Sequence, residues 1–151
     1  MIWYFTYGQS ESQPFEGGWT EVIADMRSQA VNMFRMFHAD RLEGIVNCAD
    51  IYSEDEFRKT DMFVHGNYNE RCIEVIRVKR EKNTKVQTIT QEYTTAFLCH
   101  QFRRWLDISQ NHLAKLCGVS STTMWKAENG MKISARNEKQ IRKVVDHNNG
   151  L

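Results

Sequence analysis

Ser109, Gly118, Ser120 and the pair Asn129-Gly130 punctuate one stretch of this 151-residue chain into two short helical segments. Ser109 is suited to cap Gln110 to Leu116, because a serine oxygen accepts from a first-turn N–H that the helix leaves unpaired. Leu113, Ala114 and Leu116 fall on the inward side of that segment by their spacing. Gly118 supplies the backbone freedom of a tight turn, Val119 packs beneath it, and Ser120 caps a second segment, Ser121 to Glu128. Asn129-Gly130 closes it. Two helices of about two turns, joined by three or four residues containing glycine, form the helix-turn-helix pattern. Upstream, Phe97-Leu98, Phe102 and Trp105-Leu106 recur at helical spacing. Downstream, a helix from about Arg136 to Val145 would set Ile141 and Val144 against the others. Cys99 and Cys117 lie on apolar faces and read as core, whereas His100 and His112 read as solvated.

Charge divides the chain in the same way. Residues 1–78 hold 7 Lys/Arg against 13 Asp/Glu, a net −6, and residues 79–151 hold 13 against 6, a net +7. This predicts an α+β protein of two domains: an acidic α/β domain over 1–78, a polar linker over 79–90 and a basic all-α domain over 91–151. The basic half suits a polyanion. No apolar run reaches the roughly 18 residues of a membrane span, which excludes a membrane partner at this level. The start, Met1-Ile2-Trp3-Tyr4-Phe5, lacks the pattern of a signal peptide. Cys48, Cys72, Cys99 and Cys117 have spacings unlike a disulfide framework, and the reduced cytoplasm is the expected setting.

In the acidic half, Ile2 to Tyr7 and Trp19 to Ala24 read as strands. Asp25 is positioned to cap a helix carrying Met26, Ala30, Met33, Phe34 and Phe37. Ile45 to Tyr52 reads as extended, and Ser53-Glu54-Asp55-Glu56 as a capping box opening a short helix to about Met62. Gly66-Asn67-Tyr68-Asn69 reads as a turn, and Cys72 to Val78 as a closing strand. The three acidic residues of the capping box are explained by the helix dipole, so they do not call for catalysis. His38, Cys48, His65 and Cys72 form a set that zinc accepts, although no two have the short spacing of a zinc motif; zinc is the one cofactor considered. A Cys–His nucleophile pair would need an activating context that is missing, and no constellation supports an enzyme.

Two resemblances add to this reading. The order Tyr4-Phe5-Thr6-Tyr7-Gly8, Gly18-Trp19, Val22, Asn47-Cys48-Ala49, Tyr52-Ser53-Glu54 and Phe57 resembles small uncharacterised phage and prophage domains. Ile108-Ser109-Gln110-Asn111-His112-Leu113-Ala114-Lys115-Leu116-Cys117-Gly118-Val119-Ser120, continued by Thr123-Met124-Trp125-Lys126-Ala127-Glu128-Asn129-Gly130, closely resembles the lambda-repressor/Cro-like (XRE) family. The first implies a mobile-element origin and no defined activity; with it, the second resemblance implies a cytoplasmic repressor of phage or prophage type in a bacterial host, bound as a homodimer to double-stranded DNA. It implies that Gln110 holds a phosphate, that Ser121, Thr122, Trp125 and Lys126 face the groove with Thr123 at the edge, and that Lys132 reaches the backbone. Trp125 replaces a residue that is usually polar in the family, so packing on sugars or thymine methyls is expected of it. The family pairing of a first-helix arginine with the glutamate ending the third helix falls on Arg103 and Glu128. The aromatic strand Ile2 to Tyr7 is the expected dimer contact. In an alternative from another class, residues 1–78 are an anti-CRISPR-type inhibitor of a host protein such as a Cas nuclease, and the basic domain represses its own operon.

Overall fold

A computed structural model describes residues 1–66, 71–80, 82 and 85–146, without the side chains of residues 65 and 66. The protein is mixed α+β, and its chain separates into two compact units, Met1–Glu92 and Tyr93–Leu151. No described helix is long and apolar enough to cross a membrane.

The first unit is built on a five-stranded sheet. Its strands are β1 (Ile2–Thr6), β2 (Trp19–Ile23), β3 (Asp50–Ser53), β4 (Cys72–Arg80) and β5 (Gln87–Tyr93), in the order β3-β1-β2-β4-β5. β1 pairs antiparallel with β2 and β3, and β2 runs parallel to β4. Successive side chains of a strand point to opposite faces. Phe5 therefore stacks on Phe34 of helix α1 (Arg27–Arg35) at 4.4 Å between centroids, while Tyr4 stacks on Phe57 of helix α2 (Glu54–Phe57) at 4.0 Å. The two helices cover opposite faces. Because β1 is hydrogen-bonded on both sides, it offers a second chain no strand edge, so a dimer contact through Ile2 to Tyr7 could not be strand pairing.

Local differences from expectation have local causes. Asp25 does not cap α1; the Asp25 N–H donates instead to Gln29 Oε1 at 3.1 Å, and Met26 occupies the cap position. The stretch expected to be extended from Ile45 is a strand only from Asp50, because Leu42 and Ile45 close a tight bridge around Gly44, whose φ is 79°. The capping box is present at Ser53 and Glu56, but α2 stops at Phe57, where the Thr60 hydroxyl donates to the Phe57 carbonyl at 2.7 Å. The linker expected over 79–90 is strand at both ends: Lys79 and Arg80 finish β4, and β5 begins at Gln87. The turn expected at 66–69 lies mostly outside the described residues.

Gly18 has a fixed role. Its φ is 73°, and a Cβ there would come within 2.5 Å of the Arg71 carbonyl oxygen and 3.0 Å of Ile73. That close approach lets the Trp19 N–H donate to Arg71 O at 3.0 Å, at the start of the parallel β2–β4 pairing. Gly18→Ala is expected to destabilise the first unit by about 2 kcal/mol or more, since left-handed strain and a backbone clash add. Chemical denaturation of the full chain checks this.

The second unit as described holds helices α3 (Thr95–Leu106), α4 (Gln110–Cys117), α5 (Ser121–Glu128) and α6 (Ala135–Val145). Thr94, Ser109, Ser120 and Ser134 each cap the following helix by accepting from the N–H of Phe97, His112, Thr123 and Asn137. Asp107 (φ 51°) and Gly118 (φ 67°) end α3 and α4 in the left-handed conformation. Leu98, Cys99, Phe102, Leu113, Ala114, Cys117, Met124, Ala127, Ile141 and Val145 form the core, with Val119 and Val144 packed at its margin. Leu116, expected inside, is 48% exposed; the helical turn gives Leu113, Ala114 and Cys117 the inward positions.

Candidate nucleic-acid interface

The turn Gly118-Val119-Ser120 joins α4 to α5, and Ser120 fixes the start of α5. Ser120 Oγ accepts from the Thr123 N–H at 3.1 Å and lies 2.9 Å from the Thr123 hydroxyl. Thr123 is thereby half-buried and engaged in capping. From that start the helix sorts its residues by spacing. Met124, Ala127 and Glu128 are buried, whereas Ser121, Thr122, Trp125 and Lys126 are exposed, at positions one to six of the same helix. Residues four apart share a helix face. Ser121 with Trp125, and Thr122 with Lys126, therefore make a continuous strip of hydroxyls, one indole and one ammonium. Trp125 is 50% exposed, and the Asn129 amide donates to its carbonyl at 2.7 Å. Lys132, also exposed, follows in the segment between α5 and α6.

The inward side of α5 is anchored through Glu128. Its side chain is 2% exposed, and it sits at a helix C-terminus, where the dipole disfavours negative charge. Arg103 Nη1 donates to both carboxylate oxygens, at 2.8 and 3.1 Å, and Arg103 Nε donates to the Ile108 carbonyl at 3.1 Å. One guanidinium thus ties the end of α3, the loop before α4 and the end of α5. The contact differs from the two parallel bonds of a fork: a single nitrogen serves both oxygens, because Nε is held by the backbone. Gln110 Nε2 adds a third hydrogen bond at 2.6 Å, and His100 Nε2 lies 3.9 Å away. Gln110, expected to present its amide to a phosphate, is turned onto Glu128. Burial, with Glu128 second, pushes the neighbouring Cys99 thiol up to about 12.

Residues 93–151 carry 9 Lys/Arg against 4 Asp/Glu, a net +5. Arg103 and Arg142 are turned to internal partners, Arg142 to Tyr93 O, Thr95 and Glu138. Lys115, Lys126, Lys132, Lys139 and Lys143 are exposed.

Among the described residues, His38, Cys48 and Cys72 do not come together as a zinc set. His38 lies between Phe34 and Phe15 with Nε2 2.5 Å from Glu74 Oε1. Burial raises the Cys48 thiol to about 11 and the Cys72 thiol well above its ordinary value. Among the described residues no three His, Cys, Asp or Glu side chains are grouped to hold a metal. The side chain of His65 lies outside the described residues.

What the residue patterns did not reveal is the partner of His38. Glu74 is fully buried and accepts from Thr20 Oγ1 at 2.8 Å and from the Gln91 amide, and the Tyr7 hydroxyl joins Thr20 at 2.6 Å. Burial raises the Tyr7 hydroxyl well above its usual value. The available signal was a charged residue at an inward position, Glu74, between Ile73 and Val75-Ile76.

No family model, curated protein or solved structure matches the chain.

Proposed function

We propose that this protein is a sequence-specific DNA-binding regulator of phage or prophage type, acting as a homodimer, with α4 and α5 forming a helix-turn-helix and α5 entering the major groove. The supporting observation is the division of α5: one side is locked through Met124, Ala127 and Glu128, while the other presents Ser121, Thr122, Trp125 and Lys126. A groove reader needs both, since side chains that read base edges must be presented at a fixed angle. Lys126 and Lys132 neutralise phosphates. Ser121 and Thr122 reach base edges, and Trp125 lies on sugars or thymine methyls. Gln110 acts differently from the family resemblance: it positions Glu128, and through it α5.

The substitutions separate these roles. Lys126→Ala is expected to weaken binding to every duplex alike and to lower the slope of log K against log salt by about one phosphate contact. Thr122→Ala should leave that slope unchanged and alter preference among sequences by about 1–3 kcal/mol at the affected base pair. Titration of labelled duplexes at several salt concentrations measures both. Binding by the double variant that equals the parent's at every salt concentration would remove α5 from the groove.

A second role for the first unit is supported by its being a compact unit of its own, with 11 Lys/Arg against 15 Asp/Glu over residues 1–92. In this reading it inhibits a host protein such as a Cas nuclease, and the second unit represses the operon. Recovery of such an effector with the full chain, undiminished by Lys126→Ala, is the expected result.

A further inference from the structure

The sheet of the first unit ends on two strands of different design. β3 is four residues long and opens on Asp50, a short and charged edge of the kind that discourages pairing. β5 is seven residues long, with β4 on one side and, among the described residues, no strand on the other. Its first five residues, Gln87-Thr88-Ile89-Thr90-Gln91, contain no charge, proline or glycine. They also read identically in both directions about Ile89. An open edge of this composition is a template for another strand, and a two-fold interface needs a strand that complements itself.

We propose that β5 pairs antiparallel with β5 of a second copy of this chain, with the two-fold axis at Ile89, joining both sheets into one. In that register Ile89 meets its own copy, Thr88 faces the partner's Thr90, and Gln87 faces the partner's Gln91. Opposed threonines and opposed β-branched aliphatics are favourable cross-strand pairs. Glu92 is the strand's only charged residue and falls opposite the partner's Val86, so no like charges meet. Its charge is already balanced within its own chain by Arg77 at 2.9 Å. The faces are set as well: Gln91 reaches Glu74 on the α1 side, so Ile89 shares that side, and Thr88 and Thr90 take the other. A one-residue slip would exchange them. The proposal rests on the two-fold reading given above and supplies its interface, but its test uses no DNA.

Sedimentation of the full chain at micromolar concentration should give twice the 17.8 kDa chain mass. T88K/T90K opposes like charges twice across the axis and should return the mass of a single chain. T88K/T90E opposes unlike charges at the same two places and should restore the dimer. A monomeric parent, a T88K/T90K variant that stays dimeric, or a folded T88K/T90E variant that stays monomeric would each overturn the proposal. Should either charged variant misfold, I89C decides. In this register the two introduced thiols lie within disulfide reach, whichever of the two antiparallel pair types Ile89 occupies. Oxidation should link I89C to itself and leave T88C unlinked; an unlinked I89C overturns the proposal. Burial has already raised the native thiols, Cys48 and Cys117 to about 11 and Cys99 to about 12, so they compete weakly. A dimer that binds no DNA would refute the groove reading and leave the edge pairing, and a DNA-binding monomer would refute the two-fold assembly and leave the groove reading.

Discussion

Arg103→Ala is expected to cost the second unit about 3 kcal/mol, near the lower end of the range for breaking a buried ion pair. The lower end applies because Arg103 is 27% exposed, whereas the Glu128 it leaves behind is almost wholly buried. Gln110 would still serve that carboxylate, at 2.6 Å. A unit of this size has only a few kcal/mol in reserve, so the loss should show in hydrogen exchange as opening of α3 to α6. Arg104, exposed and one residue further on, should tolerate alanine within about 0.5 kcal/mol. The double variant Arg103→Ala/Glu128→Ala should be less damaging than the sum of the two, because it leaves no unpaired charge. DNA affinity should fall with the fold in Arg103→Ala. Exchange like the parent's would show that the pair does not hold α5.

Glu74→Ala should be as damaging in the first unit, at about 3–5 kcal/mol. The carboxylate collects Thr20, His38 and Gln91 from β2, the segment after α1, and β5. Removing it leaves three polar groups facing a void, each with a desolvation cost. Glu74→Gln keeps the volume but replaces one acceptor with a donor amid other donors, and should fall between alanine and the parent. Thr20→Val removes two bonds, to Glu74 and to the Tyr7 hydroxyl, and should cost about 2 kcal/mol. Denaturation of the four proteins orders them: parent, Thr20→Val, Glu74→Gln, Glu74→Ala. If Glu74→Ala melted with the parent, the network would be incidental to the fold.

Legibility in the sequence followed the range of the interactions. Ser109, Ser120, Ser53 and Gly118 act within three or four residues of themselves, so their caps and turns could be read directly. The Arg103–Glu128 pair could be anticipated only through family resemblance, since 25 residues separate the partners. The contact between Gln110 and Glu128 was hidden for the same reason: nothing near Gln110 in the chain says that its amide turns inward. β5 was hidden by composition. Lys79 to Gln87 is polar and charged, as linkers are, and the strand that follows owes its place to pairing with β4 and to Gln91 meeting Glu74. His38, Cys48 and Cys72 looked like ligands because their residue types were visible and their partners were not; Glu74 turns His38 into part of a buried network.

The groove reading is tested most directly by selection of duplexes from a random pool by the full chain, followed by salt titration of the winners. Enrichment of an inverted repeat is expected, its half-sites about 10 base pairs, or a multiple of that, apart from centre to centre. Its affinity should exceed that for unrelated duplex by about a thousandfold or more and fall steeply with salt. A pool that emerges with no enriched repeat, from a protein whose weak binding is equal for all duplexes, would contradict the account.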